Sequence, residues 1–135
     1  MQRILIIDDE RDVRDSVKCV LDLAGYEVLT ADNAADALNQ LGRTPMDLVI
    51  TDIIMPKMNG VQAIESIRRA FPLVRIVAIS GGGNFGVAGY QPTAIATNAY
   101  LKSAEEAGAH MVLTKPFEVD DLLEAVETLL GVGHA

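Results

Sequence analysis

Two apolar runs in this chain end on carboxylates. "RILIIDDE" carries Ile4 to Ile7 straight into Asp8, Asp9 and Glu10, and "DLVITDIIMPKMNG" places Asp52 two residues after Ile50. An ionised carboxylate at the end of an apolar strand is costly unless it is paired, so its recurrence asks for a chemical reason. Ser80 after "RIVAI" and Lys115 after "HMVLT" close two further apolar runs with polar groups. Three converging carboxylates repel one another, and a hard divalent cation relieves that repulsion. Magnesium suits such a place, because it takes oxygen ligands and pairs one or two carboxylates with a phosphate oxygen. A hydroxyl and an ammonium beside the acids would complete a phosphate site, the serine donating a hydrogen bond and the lysine neutralising charge. A carboxylate is itself able to act as the nucleophile that takes a phosphoryl group. Singly, each residue has a plain structural reading. "DDE" ahead of a helix is a favourable charge at its positive end. Asp52 reads as a turn residue before "MPKMNG", and a lone serine or lysine at a strand end means little. The chemistry depends on whether the fold brings all of them to one rim.

The elements that must do this are readable from periodicity. Ile4–Ile7 is the first strand. Val13, Val17, Val20, Leu21 and Ala24 form the stripe of a first helix that Gly25 is placed to end. "YEVLT" is the second strand, and "NAADALNQL" a helix capped by Asp32 or Asn33. "MDLVITD" is the third strand; Val61, Ile64, Ile67 and Phe71 mark the third helix, stopped by Pro72. "RIVAIS", "NAYLKSAEEA", "HMVLT" and "VDDLLEAVETLL" give strand four, helix four, strand five and helix five. Five such strand–helix units imply an α/β fold, a doubly wound five-stranded parallel sheet with helices on both faces. The strand order expected is 2-1-3-4-5, with ligands bound beyond the carboxyl ends of the strands near the switch point beside strand one. Asp8, Asp9 and Asp52 then end neighbouring central strands, on a rim rather than buried mid-strand. All four strand ends carrying chemistry at once outweighs the separate structural readings.

Bulk properties agree. The 135 residues suit one domain, and half of them are apolar, enough for a substantial core. There is no apolar stretch of membrane-spanning length and no signal peptide. The single cysteine, Cys19, excludes an internal disulfide, suits a reducing cytosol, and lies among Val17, Val20 and Leu21 as a small core residue. With a net charge of −8, and Arg68-Arg69 as the longest basic run, direct nucleic-acid binding is not expected.

At these residues the chain resembles the receiver domain of two-component response regulators. The matching pieces are "ILIIDDE", "DLVITDIIMPKMNG", "IVAIS" and "GAHMVLTKPF", in order and over essentially the full length. The resemblance implies that residues 1–131 are a receiver domain and 132–135 a tail. It implies a cytoplasmic phosphoacceptor whose Asp52 takes a phosphoryl group from a phosphohistidine on a sensor histidine kinase or histidine phosphotransfer protein. Asp9, Asp52 and the main-chain carbonyl of Ile54 would hold magnesium, with Asp8 assisting through a water. Ser80 would be the switch hydroxyl, and Lys115 its ion-pair partner, aimed by the peptide bond to Pro116.

Two departures from the family pattern stand out. Three residues before Lys115, where the family commonly has a tyrosine or phenylalanine that changes rotamer, stands Val112; Tyr100 is a candidate substitute. The connection between Ser80 and Lys115 is also longer than usual, owing to "GGGNFGVAGYQPTAIAT" at residues 81–97. Its glycines, beginning with Gly81, Gly82 and Gly83, make it an adaptable loop beside the surface that the family uses for signalling. Gly81, Gly83 and Gly86 also fit a dinucleotide fingerprint, but Gly89 and Pro92 delay the helix that must follow at once. Arg11, Arg14 and Lys18 share a face of helix one, either solvated or docking to the kinase, and His110 reads as a surface histidine.

The reading adopted is a stand-alone receiver, not an enzyme on external substrates, acting on an unknown protein target as a monomer or phosphorylation-dependent dimer away from the membrane. One alternative is a receiver excised from a longer DNA-binding response regulator, which would continue into a helix-turn-helix. The other is a magnesium-dependent phosphohydrolase, which would want an acid two residues after Asp52, where Ile54 stands.

Overall fold

A computed structural model describes residues 2–55, 58–80, 102–114 and 117–131, with backbone alone at 54–55 and 58–59. Lys115, Pro116, Tyr100 and the glycine-rich segment that holds Gly81, Gly82 and Gly83 lie outside the described residues. The elements are β1 (Arg3–Ile7), α1 (Arg11–Leu23), β2 (Glu27–Ala31), α2 (Ala34–Arg43) and β3 (Leu48–Asp52). A two-residue hairpin follows, β4 (Ile54–Met55) and β5 (Met58–Asn59). Then come α3 (Gly60–Ala70), β6 (Arg75–Ser80), a helical segment over 102–107 (α4), β7 (Met111–Thr114) and α5 (Val119–Leu130).

The main sheet has the order β2-β1-β3-β6-β7, with every pairing parallel. Leaving out the hairpin, this is the 2-1-3-4-5 order expected from the sequence. Side chains alternate across the sheet, and both faces are covered. Leu5, Ile7, Val49, Ile76 and Ala78 pack with Ala37 and Leu41 of α2, Ile64 and Ile67 of α3, and Ala104 of α4. Ile4, Ile6, Leu48, Ile50, Val77 and Ile79 pack with Val17 and Leu21 of α1 and Leu122 and Val126 of α5. The central strands β1, β3 and β6 therefore carry apolar residues at consecutive positions rather than at every second one, and their polar residues, Arg3, Thr51, Asp52, Arg75 and Ser80, stand at or next to the strand ends.

Helix ends follow local chemistry. The Asn33 side chain accepts from the Asp36 N–H at 2.8 Å and caps α2. Gly131 ends α5 in the left-handed conformation, φ 63°. Cys19 corrects the sequence reading, for it is exposed. It stands two residues from both Val17 and Leu21, and two helical steps carry a side chain to the far side of the apolar stripe. Closeness in sequence to core residues is not closeness on the helix face.

His110 does more than an unattached surface histidine. Its main-chain N–H donates to the Ile76 carbonyl at 2.8 Å, and its ring Nδ1 accepts the Ile76 N–H at 3.0 Å. This closes the β6–β7 ladder at the end away from the acids, and it requires a neutral ring. Burial, then the positive charges of Arg68 and Arg75, hold the His110 pKa below the ordinary value. The unfolded chain takes up this proton near pH ~6.5 while the folded chain still refuses it, so the stability from this group is present above that pH and declines as pH falls below it. A thermal melt series from pH 7.5 to 5.5 should show a falling Tm, with a shallower fall in His110→Gln. Equal slopes for the two proteins would remove His110 as the cause.

Candidate functional site

The carboxyl edge of the sheet brings the acids together. Asp8 follows the last residue of β1, Asp52 is the last residue of β3, and these strands pair directly, Ile7 against Thr51. One ligand oxygen from each of Asp8, Asp9 and Asp52 lies within 4.8 Å of the others. Asp8 is 2% exposed and Asp52 5%, while Asp9 is open to solvent. The acids end their strands at one rim, as the sequence predicts, and two of the three are buried there. Three carboxylates confined in that volume, one facing water, form the donor set of a hard divalent cation. The residues fit the magnesium that the sequence resemblance implies.

Hydrogen bonds hold the chain at Asp8 and next to Asp52. The Asp8 N–H donates to the Ala31 carbonyl at 3.2 Å, extending the β1–β2 ladder by one residue. Asp8 Oδ1 accepts the Glu10 N–H at 2.9 Å, a tight side-chain turn that carries the chain over Asp9 into α1. Just past Asp52, the Ile53 N–H donates to the Ile79 carbonyl at 2.9 Å, and the Gly60 N–H donates to the Ile53 carbonyl at 3.0 Å. Thr51, fully buried, donates its Oγ1 hydrogen to the Asp52 carbonyl at 3.1 Å.

Gly60 is where the hairpin after β3 returns to start α3. A Cβ there would stand 2.6 Å from the Asp52 carbonyl oxygen and closer still to the Ile53 Cα and carbonyl oxygen. The first turn of α3 is thus packed directly on the backbone of Asp52. Sequence reading placed Gly60 in the loop beside Asp52 without this role. A glycine at the first position of a helix, where a cap or a good helix former is the rule, was the available signal.

Ser80 ends β6, one residue beyond Ile79, the register partner of Asp52. It is fully buried, and its Oγ has no hydrogen-bond partner among the described residues. Buried hydroxyls are almost always satisfied, and one so placed at the edge of an acid cluster is able to donate to an acceptor bound there. A phosphoryl oxygen is such an acceptor. Val112 pairs in register with Ala78 and packs, half-buried, against the core face that carries Ile76. It occupies the place of the expected aromatic as an ordinary packing residue, with no ring to reorient. Ile54 enters the structure as backbone of β4.

A second residue that sequence reading did not assign to the site is Arg14. Its Nη1 donates to the Asp8 carbonyl at 2.8 Å. Arg11 and Lys18, on the same helix face, instead pair with Asp15 at 3.6 Å and Asp22 at 2.7 Å. Periodicity groups the three; only the structure separates them.

Comparison with known proteins places the chain among receiver domains. A family model described as the response regulator receiver domain matches residues 4–127. The response regulator receiver protein CpdR of Brucella abortus (strain 2308) is 33% identical over 130 residues, covering 96% of this chain and 98% of that protein. The DNA-binding transcriptional regulator NtrC of Azospirillum brasilense is 35% identical over 128 residues, covering 95% of this chain but 24% of that protein. Among solved structures, a CheY-like response regulator receiver domain protein from Methanospirillum hungatei JF-1 superposes with a TM-score of 0.80 at 28% identity, covering 97% of this chain and 95% of that one.

Proposed function

The chain belongs to the response regulator receiver domain family, and from that premise we propose that Asp52 is its phosphoacceptor, charged by a phosphohistidine on a sensor kinase or histidine phosphotransfer protein. The observation that carries the reading is the convergence of Asp8, Asp9 and Asp52 within 4.8 Å, with the buried hydroxyl of Ser80, which has no partner among the described residues, two strands from Asp8. A carboxylate oxygen of Asp52 attacks phosphorus as the bond to the imidazole nitrogen breaks, so the group moves from one protein to the other without water. Asp8, Asp9, Asp52 and the Ile54 main-chain carbonyl would hold magnesium, which when bound offsets the charge of the phosphoryl oxygens and of the acids themselves.

The chain's own residues supply the rest. Main-chain bonds on both sides of Asp52 hold its carboxylate at the strand end, which places the nucleophile before the donor arrives. Ser80 donates to a phosphoryl oxygen and gains the partner it lacks. Lys115, next in sequence after the last residue of β7, balances a further oxygen. With Val112 at the position of the expected ring, the change on phosphorylation passes through Ser80 and the 81–97 segment rather than through an aromatic rotamer. The output is altered contact with a protein target in the cytoplasm, and the domain works as a switch rather than as an enzyme on external substrates. No helix among the described residues is long and apolar enough to cross a membrane.

The match to NtrC over a quarter of its length favours a second reading, in which the domain regulates an attached DNA-binding output. An open reading frame continuing past residue 135 into a helix-turn-helix would select it. For the chemistry itself, the test is intact-mass spectrometry after incubation with a small-molecule phosphodonor, with and without magnesium. One adduct of phosphoryl mass that requires magnesium and maps to the peptide containing Asp52 is expected. An unmodified wild-type protein under both conditions would refute the reading.

A further inference from the structure

We propose that Arg14 is a positioning residue for the acid cluster, an inference that rests on the metal-dependent site proposed above. Its guanidinium, on the first turn of α1, turns back over the loop and donates to the Asp8 carbonyl at 2.8 Å. That carbonyl belongs to the peptide unit joining Asp8 to Asp9. The unit is planar, so fixing its oxygen fixes the plane from which both side chains depart. The Asp8 N–H is held by Ala31 and its Oδ1 by the Glu10 N–H, and the Arg14 N–H donates to the Glu10 carbonyl at 3.1 Å. Arg14 therefore closes residues 8–14 into one braced turn, with the solvent-facing Asp9 at its centre. Asp9 is the acid most in need of bracing, since burial restrains Asp8 and Asp52 but not Asp9. A guanidinium suits this role because it stays charged, and its planar fork of donors holds a carbonyl in a fixed direction, which a lysine ammonium does not.

Two roles for this cation predict opposite signs. A positive charge acting only through space repels an incoming metal ion, so its removal would tighten binding. A cation acting through the Asp8–Asp9 peptide preorganises the ligands, and its removal loosens binding. Partners that orient metal ligands from outside are typically worth 10–100-fold in affinity, so Arg14→Met should weaken magnesium binding about 10-fold.

The experiment is a magnesium titration followed through the backbone amide signals of Asp9 and Glu10, on wild type, Arg14→Met, Arg14→Lys and Asp9→Asn, with a thermal melt of each. The expected result is weaker binding in Arg14→Met, an intermediate value in Arg14→Lys, and faster hydrogen exchange at the Glu10 amide in both. Phosphorylation of Arg14→Met by a small phosphodonor should recover the wild-type maximum once magnesium saturates. Binding unchanged or tighter in Arg14→Met would overturn the proposal, as would a lowered Tm with unchanged magnesium affinity. Failure of the parent reading looks different: wild type itself would show no magnesium-dependent shift that Asp9→Asn abolishes. The braced turn would then serve the fold alone, and the proposal would fall with the site.

Discussion

Asp52→Asn is expected to give no phosphoryl adduct under any donor concentration at which wild type is fully modified. Asparagine keeps the shape of the side chain and one carbonyl oxygen but lacks the anionic oxygen that must attack phosphorus. Two bonds at the strand end do not use the carboxylate and should survive the change: the Ile53 N–H still reaches Ile79, and the Thr51 hydroxyl still donates to the carbonyl of residue 52. Removing one of three carboxylates whose ligand oxygens lie within 4.8 Å of one another also relieves charge repulsion in the absence of metal. Metal-free Asp52→Asn should therefore melt at or above the wild-type temperature, while its stabilisation by added magnesium should shrink, since a ligand stabilises only in proportion to its binding. The checks are intact mass for the adduct and paired melts with and without magnesium. An adduct persisting at full stoichiometry in the variant would move the phosphoacceptor to another residue. A Tm well below wild type would mean that Asp52 holds the fold and not only the chemistry.

Gly60→Ala should be the most damaging single methyl in the described part of the molecule. The added carbon would fall on the Asp52 carbonyl oxygen and on the Ile53 main chain, atoms that cannot swing aside as a side-chain tip can. Either α3 lifts from the sheet or the end of β3 shifts, and Ile53, 2% exposed, must move with it. Overpacking costs typically 1–3 kcal/mol, and contact with backbone puts this case at the upper end, about 3 kcal/mol. For a domain of this size that lowers Tm by roughly 10 °C. The rate of Asp52 phosphorylation at a temperature where the variant is still folded should fall as well, because the displaced atoms carry the nucleophile. Gly42→Ala is the internal control. It lies in the last turn of α2 with nothing within 4 Å of a Cβ, so the same substitution should stabilise by about 0.5–1 kcal/mol through helix propensity alone. If both variants melt alike, close packing at Gly60 is not what positions Asp52.

Much of this was open to reading before any coordinates. Apolar runs with the period of buried strands, amphipathic stripes between them and acids at two run ends were enough for the sheet order and for placing Asp8, Asp9, Asp52 and Ser80 at one edge, because a doubly wound fold sends all its strand ends there. Those inferences rest on short-range rules, since periodicity and capping act within a turn or a strand. What the rules do not reach are relations between elements far apart in the chain. Cys19 was misplaced because neighbours in sequence lie on opposite sides of a helix. His110 is exposed, as the sequence suggests, but its tie to the Ile76 amide, 34 positions away, is not readable from its neighbours. Arg11, Arg14 and Lys18 are equivalent by periodicity; the braced turn beside Asp8 selects Arg14. Burial of Asp8, Asp52 and the Ser80 hydroxyl and the close contact at Gly60 likewise come from strands and helices pressing on one another. Residue types and their periods chose which groups could do chemistry and which edge they would share. Their packing in three dimensions set how close, how dry and how firmly held those groups are, because distance and exposure are properties of neighbours that the local chain does not choose.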